Sequence, residues 1–526
     1  MLQEGFSSHT PASAVLFLAF FSQFFTIFFF IPLTMALSTV QRVLGSIPKY
    51  HLVDVLRSLL HTLLHLLRIV VSFILLPLDN TILLATYFVG HLSLPRSAAN
   101  RRRQSILRDA HFQPKTILVT GIDSPHGLAV ARCWYYEGHR VIGADVTDLP
   151  VRSGESMSKT LAAFYGVLKS QYVSQLLDII HREKADVWIP CSERVDAMDD
   201  AVAKQVIEGR TDCRCIQLDP ELASRFGTPE SFRQFLVEKE LPTVENHQVQ
   251  SRDSVHKILH RSPSKSYQMR RLNPAEGNKV LALPKRTLSL TYSEVSEIQI
   301  SKDNPWVLQQ QTRLGEFVAE LLVVRGYVKA IKIRPGDQQS EWGASRLDQG
   351  LAIAIHRLMD RFAMKGGSRM TGHLSVHLMV DEEFDANSVR HVLHIAGCNQ
   401  GAAAVKTLLQ DASSALASGY LVVLSPQVNK LPGELDEAAY NHAKTTIAGR
   451  SRGEMNWDST VLKHVPSLSS IIRQLDGLFL EARQLPFWKD ARFSYLDPLP
   501  WWWHAHVYAP FREIGVILDR EPLKQA

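Results

Sequence analysis

The sequence predicts an α/β protein: N-terminal membrane helices, then a Rossmann-like doubly wound unit, then a larger α+β part. Three observations carry this. Residues 12–37 and 52–94 are long apolar stretches with few charges. Residues 114–225 alternate short buried-type strands with amphipathic helices. Residues 372–400 read as two apolar-rich strands around a polar turn, and a small-residue run starts at Ala402.

The 526 residues suffice for two or three domains and a sizeable core. The net charge of +6 is partly local, with Arg96, Arg101, Arg102, Arg103 and Arg108 close together. No recognition motif accompanies that patch, so no nucleic-acid partner is expected. The five cysteines form no CxxC pair and no zinc spacing, which fits reduced thiols in a cytosol-facing protein.

Ala12 to Leu37 contains no charged residue and reads as an uncleaved membrane anchor, because Glu4 is acidic and Arg42 is the first basic residue. Leu52 to Leu67 has helical periodicity. Ile69 to Leu78 and Thr81 to Leu94 are strongly apolar, and Asp79-Asn80 interrupts them. The region reads as a membrane hairpin, an interfacial helix pair or a second span. His51, His61 and His65 read as interfacial side chains rather than metal ligands. The arginines that follow favour the cytoplasmic side, placing residues 96–526 in the cytosol.

Pro114 to Gly121 reads as a buried strand ending at a glycine. A helix is expected from Leu128 to Glu137, with Gly138 after it, and a second strand from Arg140 to Ala144 ends at Asp145. Asp145 stands where a ribose-binding acid would, but Pro125 occupies the middle glycine position of the dinucleotide fingerprint. Tyr165 and Lys169 mimic a reductase pair only about forty residues past the glycine loop. A cofactor-free unit is expected. Helices at Tyr172 to Glu183 and Ala197 to Glu208 and strands at Ala185 to Pro190 and Cys213 to Leu218 complete it. Cys191, at a strand end, is read as structural.

Several stretches together carry a family resemblance. These are Phe164-Tyr165, Ala185 to Ser192, Phe232 to Leu236, Leu241-Pro242, Ser251 to Leu259, Pro305 to Gln310 with Glu316-Phe317, Thr371 to Ser375, and Asp497 to Trp501. Across most of residues 114–510 the chain resembles fungal ATP-grasp enzymes of natural-product pathways, with a carbamoyl-phosphate-synthase-like ATP-binding domain. The resemblance implies four segments. Residues 1–95 form a membrane-anchor region and 96–228 a Rossmann-like pre-ATP-grasp domain. Residues 229–416 form an ATP-grasp domain and 417–526 a Trp-rich extension.

The resemblance further implies ATP and Mg²⁺ as cofactors, and an amino or carboxylic acid substrate whose acyl phosphate is attacked by an amine. Such chemistry rests on positioning and charge stabilisation. The implied nucleotide contacts are Arg270 at the strand-lysine position, Gln309 and Gln310 at the hinge, and Glu316 in the following turn. Asn399 matches a metal ligand. His377 and Gly397 stand where the resemblance implies metal carboxylates, and Leu314 replaces an expected glycine. Asp381 to Asp385 reads as a solvated acidic turn, Lys285-Arg286 as an exposed basic loop, and no Walker loop is present. A catalytically degenerate ATP-grasp-like binding protein and an NAD(P)-dependent reductase are the alternatives. The tail carries Trp488, Trp501, Trp502 and Trp503, which pack on the body or dock at a membrane interface.

Overall fold

A computed structural model describes residues 52–91, 98–147, 151–263, 265–271, 280–301, 304–312, 315–336, 347–385, 388–410, 413–425 and 490–518. The expected anchor at 12–37, Leu314 and Trp488 lie outside these residues, as do the side chains of residues 382–385. The chain forms two compact units, Met1–Leu75 with Pro510–Ala526, and Leu76–Ala509.

Helix α1 (Leu52–His91) is unbroken over 40 residues, with Pro77 inside it. The interruption expected at Asp79-Asn80 does not occur, because both polar side chains have partners. Asp79 Oδ2 lies 2.9 Å from His506 Nε2, and Asn80 Oδ1 accepts from Trp502 Nε1 at 2.9 Å. The stretch Thr62–Phe88 is long and apolar enough to cross a membrane, by length and composition. Its exposed residues include Leu63, Leu67, Val70, Val71, Ile74 and Leu78 together with Arg68, whereas His65, Ile69 and Asp79 are buried. Large apolar side chains thus dominate the exposed surface of this stretch.

Helix α2 (Ala98–Arg108) carries the arginine cluster. Arg102 pairs with Glu137 at 2.9 Å, and Arg103 stacks over the Tyr135 ring. The doubly wound unit follows as β1 (Thr116–Thr120), α3 (Pro125–Tyr136), β2 (Arg140–Val146), β3 (Ala163–Val167), α4 (Tyr172–Glu183), β4 (Val187–Pro190), α5 (Ala197–Arg210) and β5 (Arg214–Cys215). All five strands are parallel in the order β3-β2-β1-β4-β5, so the connection direction reverses between β1 and β4. β1 is short and buried on both faces, as its run of β-branched and aliphatic residues dictates. The strand expected over Cys213 to Leu218 pairs only at Arg214–Cys215.

Next come α6 (Pro220–Phe226), α7 (Pro229–Glu238), β6 (Asn246–Val249), α8 (Arg252–Arg261), β7 (Ser266–Arg271), β8 (Leu281–Leu283), α9 (Leu288–Ser296) and β9 (Trp306–Gln311). These strands form a sheet in the order β6-β9-β7-β8. A second sheet, β11-β10-β12-β13, is built from β10 (Gly315–Val324), β11 (Tyr327–Pro335), β12 (Gly372–Asp385) and β13 (Ser388–Gln400), with α10 (Gln349–Gly366) between β11 and β12. The acidic stretch expected to be a turn from Asp381 to Asp385 continues β12, laddered to β13 out to Asp385↔Ser388. Its alternation with Phe384 and its antiparallel partner extend the strand.

The single helix expected from Ala402 to about Leu416 is divided into a 3₁₀ turn at Ala402–Ala404, α11 (Lys406–Gln410) and α12 (Ser414–Leu421). Ser413 starts the last piece by accepting from Leu416 N. Leu408, Leu409, Leu416 and Tyr420 share one apolar core with Ile117, Val119 and Ile189 of the parallel sheet.

Near the C-terminus, α13 (Leu499–Trp503) runs through a π-helical turn at His504–Tyr508 into α14 (Ala509–Leu518). Trp501 and Trp502 are buried, as the packing reading of the tail expects.

Candidate functional site

Strand alternation sorts the expected nucleotide contacts. On β7, Tyr267 and Met269 are buried while Arg270 is exposed. Cross-strand register places Gln268 opposite Gln309 and Arg270 opposite Val307. Arg270, Gln268 and Gln309 therefore share one face of the first sheet. The other face is packed by Val249, Tyr267, Met269, Trp306 and Leu308 against Val255 of α8 and Val295 of α9. Gln310 lies on that packed side opposite Tyr267, only 2 % exposed, and its Oε1 has no hydrogen-bond partner. The register thus brings Gln309 together with Arg270 and turns the Gln310 side chain away from them.

The second sheet can be read as rows across its strands. One row is Lys332, Glu320, Ser375, Asn399; the next is Arg334, Val318, His377, Gly397; the third is Glu316, Met379, His394. The opposite face carries Phe317, Ala319, Leu321, Leu374, Val376 and Leu378, packed against Ile355, Met359 and Phe362 of α10. Alternation thus gathers every polar candidate of this sheet on one face. His377 Nε2 accepts from Asn399 Nδ2 at 3.2 Å. Glu316 sits one row away, and Asp381 shares their face further along β12.

Glu320 is the functional-face residue that sequence reading missed. It is fully buried. One carboxylate oxygen accepts from Arg334 Nε at 3.1 Å. The other accepts from Thr407 Oγ1 at 2.5 Å and from Leu408 N at 2.8 Å. The signal was available, since it is a lone acid inside the apolar run Phe317–Val324. Nearby, His373 is buried with Nε2 2.7 Å from Tyr420 Oη, and burial holds its pKa down at about 3, so the imidazole is neutral.

The donor set does not fit magnesium. Mg²⁺ takes hard oxygen ligands, usually including carboxylates. At the positions where carboxylates are implied the hairpin offers an imidazole and no side chain, Asn399 adds an amide, both Glu320 oxygens are engaged, and the carboxylates on this face, Glu316 and Asp381, lie at least one row away. Among the described residues, no group of three or more His, Cys, Asp or Glu is placed to hold a metal ion.

The ligand edge of the parallel sheet is arranged differently. Gly121 has φ of +75°, and a Cβ there would fall 2.2 Å from Ser192 N. Ser124 caps α3 by accepting from Gly127 N at 3.0 Å, and it donates to Gly121 O at 2.7 Å. Asp145 is buried and accepts from Asp123 N at 3.0 Å. Burial first, then the Asp123 charge, raise its pKa to about 9. Asp123 pairs with Arg194 at 2.9 Å, and Arg194 also donates to Val146 O and Tyr508 Oη. Tyr165 hydrogen-bonds Glu183, and burial pushes the Cys191 thiol well up, as a structural cysteine requires.

The tail is fastened beside this edge. Asp497, 2 % exposed, accepts from Arg132 Nε at 3.1 Å, Ser158 Oγ at 2.6 Å and Lys159 N at 3.1 Å. Arg492 pairs with the fully buried Glu155.

No protein-family model and no curated protein matches the sequence. Solved structures do. The biotin carboxylase subunit of pyruvate carboxylase matches at 11% identity and a TM-score of 0.44, over 60% of this chain and 71% of that one. An ADP complex of N5-carboxyaminoimidazole ribonucleotide synthetase matches at 13% identity and a TM-score of 0.34, over 54% and 70%. The L-amino acid ligase from Bacillus licheniformis matches at 14% identity and a TM-score of 0.33, over 55% and 67%. These neighbours are ATP-grasp enzymes. At TM-scores under 0.5 the likeness assigns no residue of this chain a role.

Proposed function

We propose that this chain is a membrane-anchored, cytosol-facing ATP-grasp-type protein that binds ATP and works as a ligand-binding module. One observation carries the reading: register gathers Arg270, Gln268 and Gln309 on one sheet face, while the expected metal carboxylates are replaced by His377 and Gly397. An exposed guanidinium beside two amides suits phosphate and base recognition. The proposed anchor is α1, where Leu63, Leu67, Ile74 and Leu78 are exposed while His65 and Asp79 are buried, and Arg68 is exposed beside them.

A second reading is an ATP-dependent carboxylate–amine ligase acting on an amino or carboxylic acid in secondary metabolism. It is favoured by Glu316 and Asp381 on the same face as His377. Titration of ATP into the detergent-solubilised full chain, repeated with Arg270→Ala, tests binding. Saturable binding weakened by the substitution supports the proposal, and no binding by a folded chain refutes it. ADP release with a panel of amino acids, lost in Glu316→Gln, moves the conclusion to the ligase.

A further inference from the structure

We infer that α1 is an in-plane anchor: it lies along one leaflet of a lipid bilayer and does not cross it. The inference rests on the membrane reading above. A transverse span over Thr62–Phe88 is centred on Leu75, so Asp79 and Asn80 would stand about 6–8 Å from mid-membrane at a rise of about 1.5 Å per residue. Both are tied to the tail. Asp79 Oδ2 lies 2.9 Å from His506 Nε2, and Asn80 Oδ1 accepts from Trp502 Nε1 at 2.9 Å. The same segment, α13 with its π-helical turn, is seated on the parallel-sheet unit. Trp503 Nε1 donates to Arg152 O at 3.2 Å, Tyr508 Oη accepts from Arg194 at 3.1 Å, and a Cβ on Gly154 would fall 2.4 Å from Pro500 O. All of these residues belong to the unit Leu76–Ala509, and the Arg152 side chain is exposed. A transverse α1 would draw Arg152 and the seat around Gly154 towards a hydrocarbon core that extends about 15 Å either side of its midplane, where charged groups are costly.

The surface of α1 suits a leaflet. At about 3.6 residues per turn, the buried His65, Ile69 and Asp79 fall within one arc of about 80°. Leu63, Leu67, Val70, Ile74, Leu78 and Phe88, all exposed, fall within an arc of about the same width on the opposite side. Arg68 lies between the two arcs and is 66 % exposed even though its Nη1 reaches Glu513 Oε2 at 3.6 Å. An apolar arc with an arginine at its rim matches acyl chains below and phosphate headgroups beside them, the pattern of a helix lying in the interface.

The test reads depth. Leu67 and Ile74 share the exposed arc and lie about 10 Å apart along the helix axis. Leu67→Cys and Ile74→Cys are each made in the full chain carrying Cys133→Ser, labelled with an environment-sensitive fluorophore and reconstituted into phospholipid vesicles. The lipids carry a nitroxide quencher at either a shallow or a deep acyl position. For an in-plane anchor the shallow nitroxide should quench both labels more than the deep one, at depths within about 3 Å of each other. A depth gap of about 10 Å, with Ile74 near mid-membrane, overturns the inference, and so does stronger quenching of both labels by the deep nitroxide. A second readout uses the two flanks of the helix. In sealed membrane vesicles a membrane-impermeant maleimide should reach Ser46→Cys and Ser97→Cys to the same extent. Labelling of one flank only, with the other reacting after permeabilisation, means that α1 crosses. No lipid quenching at either Leu67 or Ile74 overturns the membrane reading of α1 itself, and with it the orientation assigned here.

Discussion

Glu320→Ala should destabilise the chain more than any other single change on the polar sheet face. The parent carboxylate is fully buried and holds Arg334, Thr407 and the backbone of Leu408 at 3.1, 2.5 and 2.8 Å. Its removal takes from the Arg334 guanidinium its buried carboxylate partner and from Thr407 Oγ1 and Leu408 N their acceptor. Breaking a buried ion pair from one side costs about 3–5 kcal/mol. The compact unit Leu76–Ala509 spans about 430 residues, so its unfolding entropy is on the order of 0.9 kcal/mol/K. The apparent thermal midpoint should therefore fall by about 3–6 °C in differential scanning fluorimetry. The paired variant Glu320→Met, Arg334→Met removes both charges and leaves neither stranded, so it should lose clearly less. A shift under about 1 °C for Glu320→Ala, or a double variant no better than the single, refutes the account of Glu320 as the clamp between β10, β11 and α11.

Three further outcomes follow from other parts of the molecule. Asp145 is raised to about 9 in the folded chain against an ordinary 3.8, so folded protein retains a proton that unfolded protein releases, and stability falls as pH rises from about 4 to about 9. Asp145→Asn keeps an acceptor for Asp123 N–H, and its midpoint should match the parent near pH 4 and exceed it by a few degrees at pH 8. A difference independent of pH contradicts the burial argument. Asp497→Ala strips Arg132, Ser158 and Lys159 of their shared acceptor, and limited trypsinolysis should then cut within residues 490–498 at least several-fold faster; unchanged kinetics mean the tail is held by its tryptophans alone. Ile74, 70 % exposed on α1, faces lipid in the proposed anchor. Ile74→Cys in intact vesicles should resist a membrane-impermeant maleimide and react after denaturation, and rapid labelling in vesicles places that face in water.

The parallel unit was legible because its strands are short apolar runs ending at Gly121, Asp145 and Pro190, and local periodicity suffices for such elements. The hairpin was legible for the same reason, though its length was not. An acidic run reads as a turn until a partner strand is known, and Val389 to Val392 supply that ladder. Asp79-Asn80 misled because their partners, His506 and Trp502, lie more than four hundred residues away. Gln309 and Gln310 looked equivalent in sequence, and only strand register separates the side facing Arg270 from the side packed on Tyr267. Glu320 stands where the family resemblance implies no ligand, and only a charge within an otherwise apolar, buried strand marks it.

The two sheets carry their polar groups with different consequences. On the first, a guanidinium and two amides are left facing outward and can hold a phosphate or a base by directed hydrogen bonds. On the second, Glu320 is locked into the fold by Arg334, Thr407 and Leu408, while Glu316 and Asp381 stand on the same face as His377. Phosphoryl transfer depends on charge placed against the β- and γ-oxygens together with a fixed approach of the acceptor. On the proposed binding reading, such a site is expected to hold its ligand longer than it converts it. On that reading, binding isotherms, more than turnover numbers, are the quantity in which substitutions at Arg270 and Gln309 should register.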